Sequence, residues 1–271
     1  MKKPVKILLF AAGIIIIPVL ISPLPGFRAP LSTVVEARDG SLLGARIAGD
    51  GQWRFPPSEK VPEKFKKALL TFEDRYFFYH PGINPFSMFR ALRDNIKAGK
   101  IVRGGSTITM QVARLSRGNR PRTYREKIIE ISGAVKLEIF RSKRRILQMY
   151  SSNAPFGGNI VGLDAASWRY TGKSPEDITW AEAAALAVLP NSPSLVYPGK
   201  NQEALKSRRN ELLKKLYERE YFVSLTLVLA LDEPVPGQPK PLPSAAPHLT
   251  DLFYVRNINS RPLNICCSQI R

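Results

Sequence analysis

From residue 7 to residue 27 the chain reads ILLFAAGIIIIPVLISPLPGF, with no charge between Lys6 and Arg28. No other feature constrains the molecule as much. An apolar run of about 20 residues is long enough to cross a bilayer as a helix. Lys2, Lys3 and Lys6 precede it and favour a cytoplasmic start. A cleaved signal peptide would end on an A-x-A-like site, and the sequence offers no convincing one. Pro18 is tolerated, because membrane helices accommodate proline. The expectation is a cytoplasmic stub at 1–6, an uncleaved transmembrane signal-anchor at 7–27, and the remaining chain on the extracytoplasmic (periplasmic) side of the plasma membrane, attached by a single pass.

That placement decides how the charge is read. The 271 residues carry 41 Lys and Arg against 22 Asp and Glu, a net charge of +19. So large an excess calls for a polyanionic partner. Outside the cytoplasm the available polyanions are lipid headgroups and lipid-linked phosphates. Nucleic acid is not expected, and the chain carries no motif that reads it. Hydrophobic residues make up 44% of the sequence, enough to build a core rather than stay disordered. The two cysteines, Cys266 and Cys267, are adjacent and near the end, so they build neither a disulfide framework nor a zinc site.

The pattern beyond the anchor is mainly helical. Residues 30–58 are the exception: β-branched residues are punctuated by RDGS and GDGQ, which read as hairpin turns. From 58 onward, Phe65, Ala68, Leu69 and Phe72 fall on one helical face. That helix is expected to run through the aromatic stretch until PGIN breaks it. A second amphipathic helix starts at Pro85 and stops at Gly99. A glycine pair, Gly104 and Gly105, leads into a helix at STITMQVAR. A long helix follows over 122–150, or two helices with a break near Ser142. Three more are expected at LDAASWRYTG, TWAEAAALAVLPNSP and QEALKSRRNELLKKLYE, the second buried by its alanines. The proline-rich stretch at 233–252 reads as a linker, and 253–271 has no clear period.

Two carboxylates stand out. In TFEDRYFFYHPGIN, residues 71–84, Glu73 and Asp74 lie among Phe72, Tyr76 and Phe77. Partial desolvation there would raise a carboxyl's pKa and let it exchange protons near neutral pH. On a continuous helix Glu73 would be one turn from Leu69, Tyr76 and Phe77, which makes it the better candidate. The second is Glu130, three residues after Lys127 and so on the same helix face. A surface ion pair is the plainer reading of that spacing. Two separated carboxylates beside clustered cations, Arg114, Arg117, Arg120, Arg122, Arg125 and Lys127, nevertheless suit transfer of a sugar from a phosphate leaving group. GGSTITMQ supplies hydroxyls and N–H groups near a helix start, which favours an anion, although no P-loop lysine follows.

EDRYFFYHPGIN, GGSTITMQVAR, REKIIE, NAPFGGNIVGLDAASWRYTGKSP and EAAALAVLPNSPS occur in an order and spacing that resemble the peptidoglycan glycosyltransferases of family 51. This is the family of the first domain of class A penicillin-binding proteins and of monofunctional enzymes. TMQ and NAPFGGN look most like its 1C-type branch. The resemblance covers about residues 30–245 and the anchor.

The resemblance implies a mainly α, lysozyme-like glycosyltransferase domain at 28–232, with a small β element near its start and a membrane-dipping subdomain. It implies polymerisation of lipid II into glycan strands with release of undecaprenyl pyrophosphate and inversion at the anomeric carbon. By motif, Glu73 corresponds to the base for the acceptor hydroxyl and Glu130 to the second catalytic carboxylate. Asp74, Phe77, His80, Gly105, Ser106, Thr107, Gln111, Arg114, Arg122 and Lys127 match substrate-binding or cleft-shaping positions. No metal ligand and no obligatory cofactor are implied, with a divalent cation (Mg or Mn) allowed at the donor pyrophosphate. The implied partners are lipid II, the growing glycan, the membrane and other cell-wall synthesis proteins.

Departures are visible too. Glu126 stands where the family has the Arg of RKxxE, Asn84 where many members have Asp, and MYSSNAPFGG differs from YLNxxxFG. No S-x-x-K occurs, so a transpeptidase half is expected to be absent and 253–271 to be foreign to the family. The rival readings are a lysozyme-like hydrolase and a non-catalytic, membrane-anchored binder of wall precursors.

Overall fold

A computed structural model describes residues 23–100, 104–121, 123–191, 199, 201–258 and 265–266. Residues 7–22 of the apolar run lie outside this set. Its last part, 23–27, carries no helix, in keeping with Pro23 and Pro25, which cannot donate to a helical ladder. Among the described residues no helix is long and apolar enough to cross a membrane.

The chain forms two compact units. The first takes in the residues up to Phe27 and Glu73–Tyr150. It follows helix α1 (Glu63–Glu73) and opens with a 3-10 turn at Phe77–Tyr79. Helix α2 (Pro85–Ala98) has proline in its first turn and Asn84 as N-cap, its side chain accepting from the Ser87 N–H at 3.0 Å. Asn serves there because a short acceptor is what the orphan N–H groups need. Gly99, with φ 63°, closes the helix as expected. Helix α3 (Ile108–Leu115) is buried along most of its length and packs against α4 (Tyr124–Phe140). Helix α5 (Lys143–Asn153) follows after a break at residues 141–142, where the sequence places it.

The second unit holds Arg28–Phe72 and the chain from Ser151 onward. Strands β1 (Thr33–Glu36) and β2 (Leu42–Arg46) form the hairpin announced by RDGS. GDGQ also turns the chain, but not as a hairpin. Strand β3 (Trp53–Arg54) leaves β2 and joins a second sheet in the order β3-β5-β4, with β4 at Pro155–Gly157 and β5 at Ile160–Val161. The helices are α6 (Leu163–Tyr170), α7 (Trp180–Val188), α8 (Gln202–Tyr217), α9 (Ser224–Asp232) and α10 (Pro247–Ile258). Helix α7 is buried along its length after Trp180, as its alanines predict, and starts with a capping box between Thr179 and Glu182. Strand β6 (Ile265–Cys266) pairs in parallel with β1. Helix α9 was not expected, and α10 begins inside the stretch read as linker.

Candidate active site

Helix α1 ends at Glu73, not beyond Phe77. The reason lies in Asp74, whose carboxylate is claimed from outside the helix. Both of its oxygens lie 3.0 Å from His80 Nε2, and Oδ2 accepts from the Ile108 N–H at 3.1 Å. The chain must leave the helix to bring these groups together. Tyr76 and Phe77 therefore do not share a helical face with Glu73. Phe77 is instead fully buried in the 3-10 turn, its ring edge-on to those of Phe78 and His80.

The start of α3, expected to attract an anion, already has one of its own in Asp74. Thr107 caps the same end, accepting from the Met110 N–H at 3.1 Å and donating to the Gly82 carbonyl at 2.6 Å. Thr107 is thus a structural cap, buried at 2% exposure. Gly105 serves close packing: a Cβ there would come within 2.9 Å of Met88 Cα.

Three residues further along α3, Gln111 Nε2 donates to Glu73 Oε2 at 2.7 Å. Glu73 Oε1 is equally shielded and meets no partner in the protein. Burial pushes the Glu73 carboxyl up from its ordinary value; the Gln111 bond and the Arg114 charge pull it back, and Asp74 adds to the rise. One turn on from Gln111, Arg114 Nε lies 3.9 Å from Glu130 Oε1. Lys127 Nζ lies 3.1 Å from the other Glu130 oxygen and donates to Ser106 Oγ at 2.7 Å. Glu130, 4% exposed, is therefore flanked by two cations. Of this group Lys127 remains the most open, with its side chain 37% exposed.

The wider basic cluster is partly neutralised. Arg117 donates twice to Glu126, at 3.2 and 3.1 Å, and Arg120 lies 3.9 Å from the same carboxylate. Glu126 thus does more than delete a positive charge: it pairs with two others. Arg122 lies outside the described residues. Among the described residues no group of three or more His, Cys, Asp or Glu side chains is placed to hold a metal ion. With Glu130 already balanced by Lys127 and Arg114, a cation held on protein ligands does not fit there.

Four contributors, Lys143, Glu138, Thr109 and Tyr150, were not among the residues the sequence singled out. Lys143 Nζ donates to the His80 carbonyl and to Glu138 Oε1, each at 2.7 Å, and sits 4.4 Å over the Phe77 ring. Thr109 Oγ1 donates to the same Glu138 oxygen at 2.7 Å. Lys143 and Glu138 thereby pin the turn that carries His80. Tyr150 is fully buried, its hydroxyl without a partner, and interacts electrostatically with Glu73 and Arg114. Its only sequence signal was a buried helical spacing with Ile146 and Leu147, which reads as core.

The family model described as "Transglycosylase" matches residues 40–217, and the chain belongs to that family. It is 41% identical over 226 residues to penicillin-binding protein 1C of Escherichia coli, covering 83% of this chain and 29% of that protein. It is 34% identical over 212 residues to penicillin-binding protein 1A of Aquifex aeolicus, covering 78% of this chain and 29% of that one. The 1C resemblance seen in TMQ and NAPFGGN agrees with the first of these. The chain spans under a third of the length of these curated relatives. A crystal structure of penicillin-binding protein 1A from Haemophilus influenzae aligns at a TM-score of 0.43 and 18% identity, covering 88% of this chain and 25% of that one.

Proposed function

We propose that the chain is a peptidoglycan glycosyltransferase that extends glycan strands from lipid II. Glu73 Oε1 takes the proton of the acceptor sugar hydroxyl. The freed oxygen attacks the anomeric carbon of the growing chain, the bond to the pyrophosphate oxygen breaks, and undecaprenyl pyrophosphate departs with inversion. Lys127 and Arg114 meet the diphosphate charge. Glu130 acts through them, holding both cations in place until the donor arrives. Ser106 and Gln111 fix Lys127 and Glu73, while Asp74, His80 and Phe77 shape the wall behind them. No step runs through a metal ion.

The observation that carries this reading is the state of Glu73. One oxygen is held by Gln111 and the other has no partner among the protein groups, in a desolvated setting within the field of Arg114. A carboxylate kept this way is basic, oriented and ready to receive a proton. The face of α2 supports a membrane-bound substrate: Phe86, Phe89, Leu92 and Ile96 are exposed, interleaved with Arg90, Arg93 and Lys97, a combination suited to a lipid surface. With the apolar run at 7–27, it favours a plasma-membrane location with the site on the outer side.

The test is polymerisation of fluorescent lipid II by the purified full chain. Glycan polymer is expected from the wild type, and Glu73→Gln should lower the rate at least hundredfold while retaining moenomycin binding. Polymerisation that survives Glu73→Gln would overturn the assignment. Release of short glycans from mature cell wall, with no polymer, would establish a hydrolase instead.

A further inference from the structure

Glu73 Oε1 and the Tyr150 hydroxyl, both in the first unit, are buried without a hydrogen-bond partner in the protein, and the Glu73 charge acts on the Tyr150 phenol. Buried polar groups are nearly always hydrogen-bonded, so each such exception calls for a physical reason. Both lie within the field of the Arg114 guanidinium, which favours the charged carboxylate. Two orphan oxygens and a cation are the set of neighbours that an internal water requires.

Resting on the function proposed above, we propose that Tyr150 is a positioning residue for the base, its hydroxyl donating through one bridging water to Glu73 Oε1. Gln111 fixes one carboxylate oxygen from α3, and Tyr150 fixes the other from α5. Held at both oxygens, the carboxylate cannot rotate, and its free lone pair keeps one direction.

The proton inventory permits this. Burial, together with the Glu73 charge, pushes the Tyr150 phenol well up from its ordinary value, so it stays protonated and able to donate. The charged and titratable groups that interact with Glu73 are Arg114 on α3, Asp74 next to it in the chain, and Tyr150 on α5, with the neutral Gln111 amide as its hydrogen-bond donor. Asp74 is itself engaged by His80 and the Ile108 N–H. A donor from Tyr150 favours the ionised form of Glu73 and offsets part of the desolvation.

The sign of the test follows. Tyr150→Phe removes the donor at nearly constant volume. Glu73 then holds its proton to higher pH, and the acid limb of the kcat/KM profile for lipid II polymerisation should move up. We expect kcat to fall by about tenfold with KM little changed. Incorporation of 3-fluorotyrosine at position 150 strengthens the donor and should move the acid limb down. A residue that only filled space would not give shifts of opposite sign, and the fluorinated protein also covers the case in which Tyr150→Phe folds poorly. Carboxyl-labelled Glu followed by 13C NMR should show the Glu73 titration moving in the same directions without reliance on turnover.

An unmoved acid limb together with a raised Tm for Tyr150→Phe would overturn the inference, because deleting a hydroxyl that truly lacks a partner stabilises the fold. Glu73→Gln separates the two levels. If that variant still polymerises, the base assignment has failed. If it is inactive and the Tyr150 profiles do not move, only the role of Tyr150 has failed.

Discussion

Glu73→Gln should stabilise the folded chain at neutral pH while removing its activity. The Gln111 donor reaches Glu73 Oε2 at 2.7 Å, and the carbonyl oxygen of a glutamine can accept the same bond. No hydrogen bond need be lost, and Arg114 keeps Glu130 as a neighbour. What disappears is a buried charge whose folded-state pKa lies above the ordinary 4.5, with burial as the main cause. A carboxyl with a raised folded pKa binds its proton more tightly in the native state. Stability is then full below the unfolded pKa and is lost as pH rises through the folded one. Above that window the wild type carries a constant penalty, and the glutamine variant does not. The gain should be on the order of 1 kcal/mol, the scale seen when a strained functional group is relieved, and worth about 2–4 °C in Tm for a chain of this size. Thermal unfolding of both proteins in one detergent at pH 4 and at pH 8 measures it. The variant should melt higher at pH 8, and the two should converge at pH 4. A Tm difference that is the same at both pH values, or a variant less stable at pH 8, would show that the Glu73 carboxylate is not strained by its surroundings.

Three other outcomes follow from the same structure. Gly82→Ala should destabilise by about 2–4 kcal/mol, read from the urea midpoint, because φ is +84° and the new Cβ would lie 2.8 Å from Glu138 Cγ and 2.9 Å from the Ala134 carbonyl. Asp164, in the second unit, has its pKa raised to about 6, chiefly by burial and against the Ser58 hydrogen bond. Its contribution to stability is full below the ordinary 3.8 and is lost as pH rises through 6, so Asp164→Asn should flatten the urea midpoint between pH 4 and 7. Lys127→Met should raise KM for lipid II about tenfold with a smaller change in kcat, measured by steady-state polymerisation, because it removes the most open cation beside Glu130.

How much of this was legible in the sequence depended on how far apart the partners lie. Lys127 and Glu130 were readable as a pair because they are three residues apart on one helix, and the structure joins them at 3.1 Å. Pro85 and Gly99 bounded α2 for equally local reasons. Gln111 and Glu73 are separated by 38 positions, so residue type and motif could name both without showing which oxygen was held. Tyr150 lies at helical spacing from Ile146 and Leu147 and is buried with them; only its unpartnered hydroxyl, a three-dimensional fact, separates it from those neighbours. Helix α9 was missed because SLTLVLALD is apolar nearly all round, with Leu225, Val228 and Leu229 exposed, so it carries no 3.6-residue alternation to detect. The end of α1 shows the same principle acting on the site itself. Local pattern continued the helix through Phe77, but Asp74 gains more from His80 and the α3 N-terminus than another helical turn would provide, and the helix ends at Glu73. Glu73 therefore occupies the last turn of its helix, where its neighbours in space come from α3 and α5 rather than from its own helix. A carboxylate set at a helix end in this way can be tuned by remote groups, and at Glu73 burial, the Gln111 hydrogen bond and the Arg114 charge all outweigh the effect of its chain neighbour Asp74.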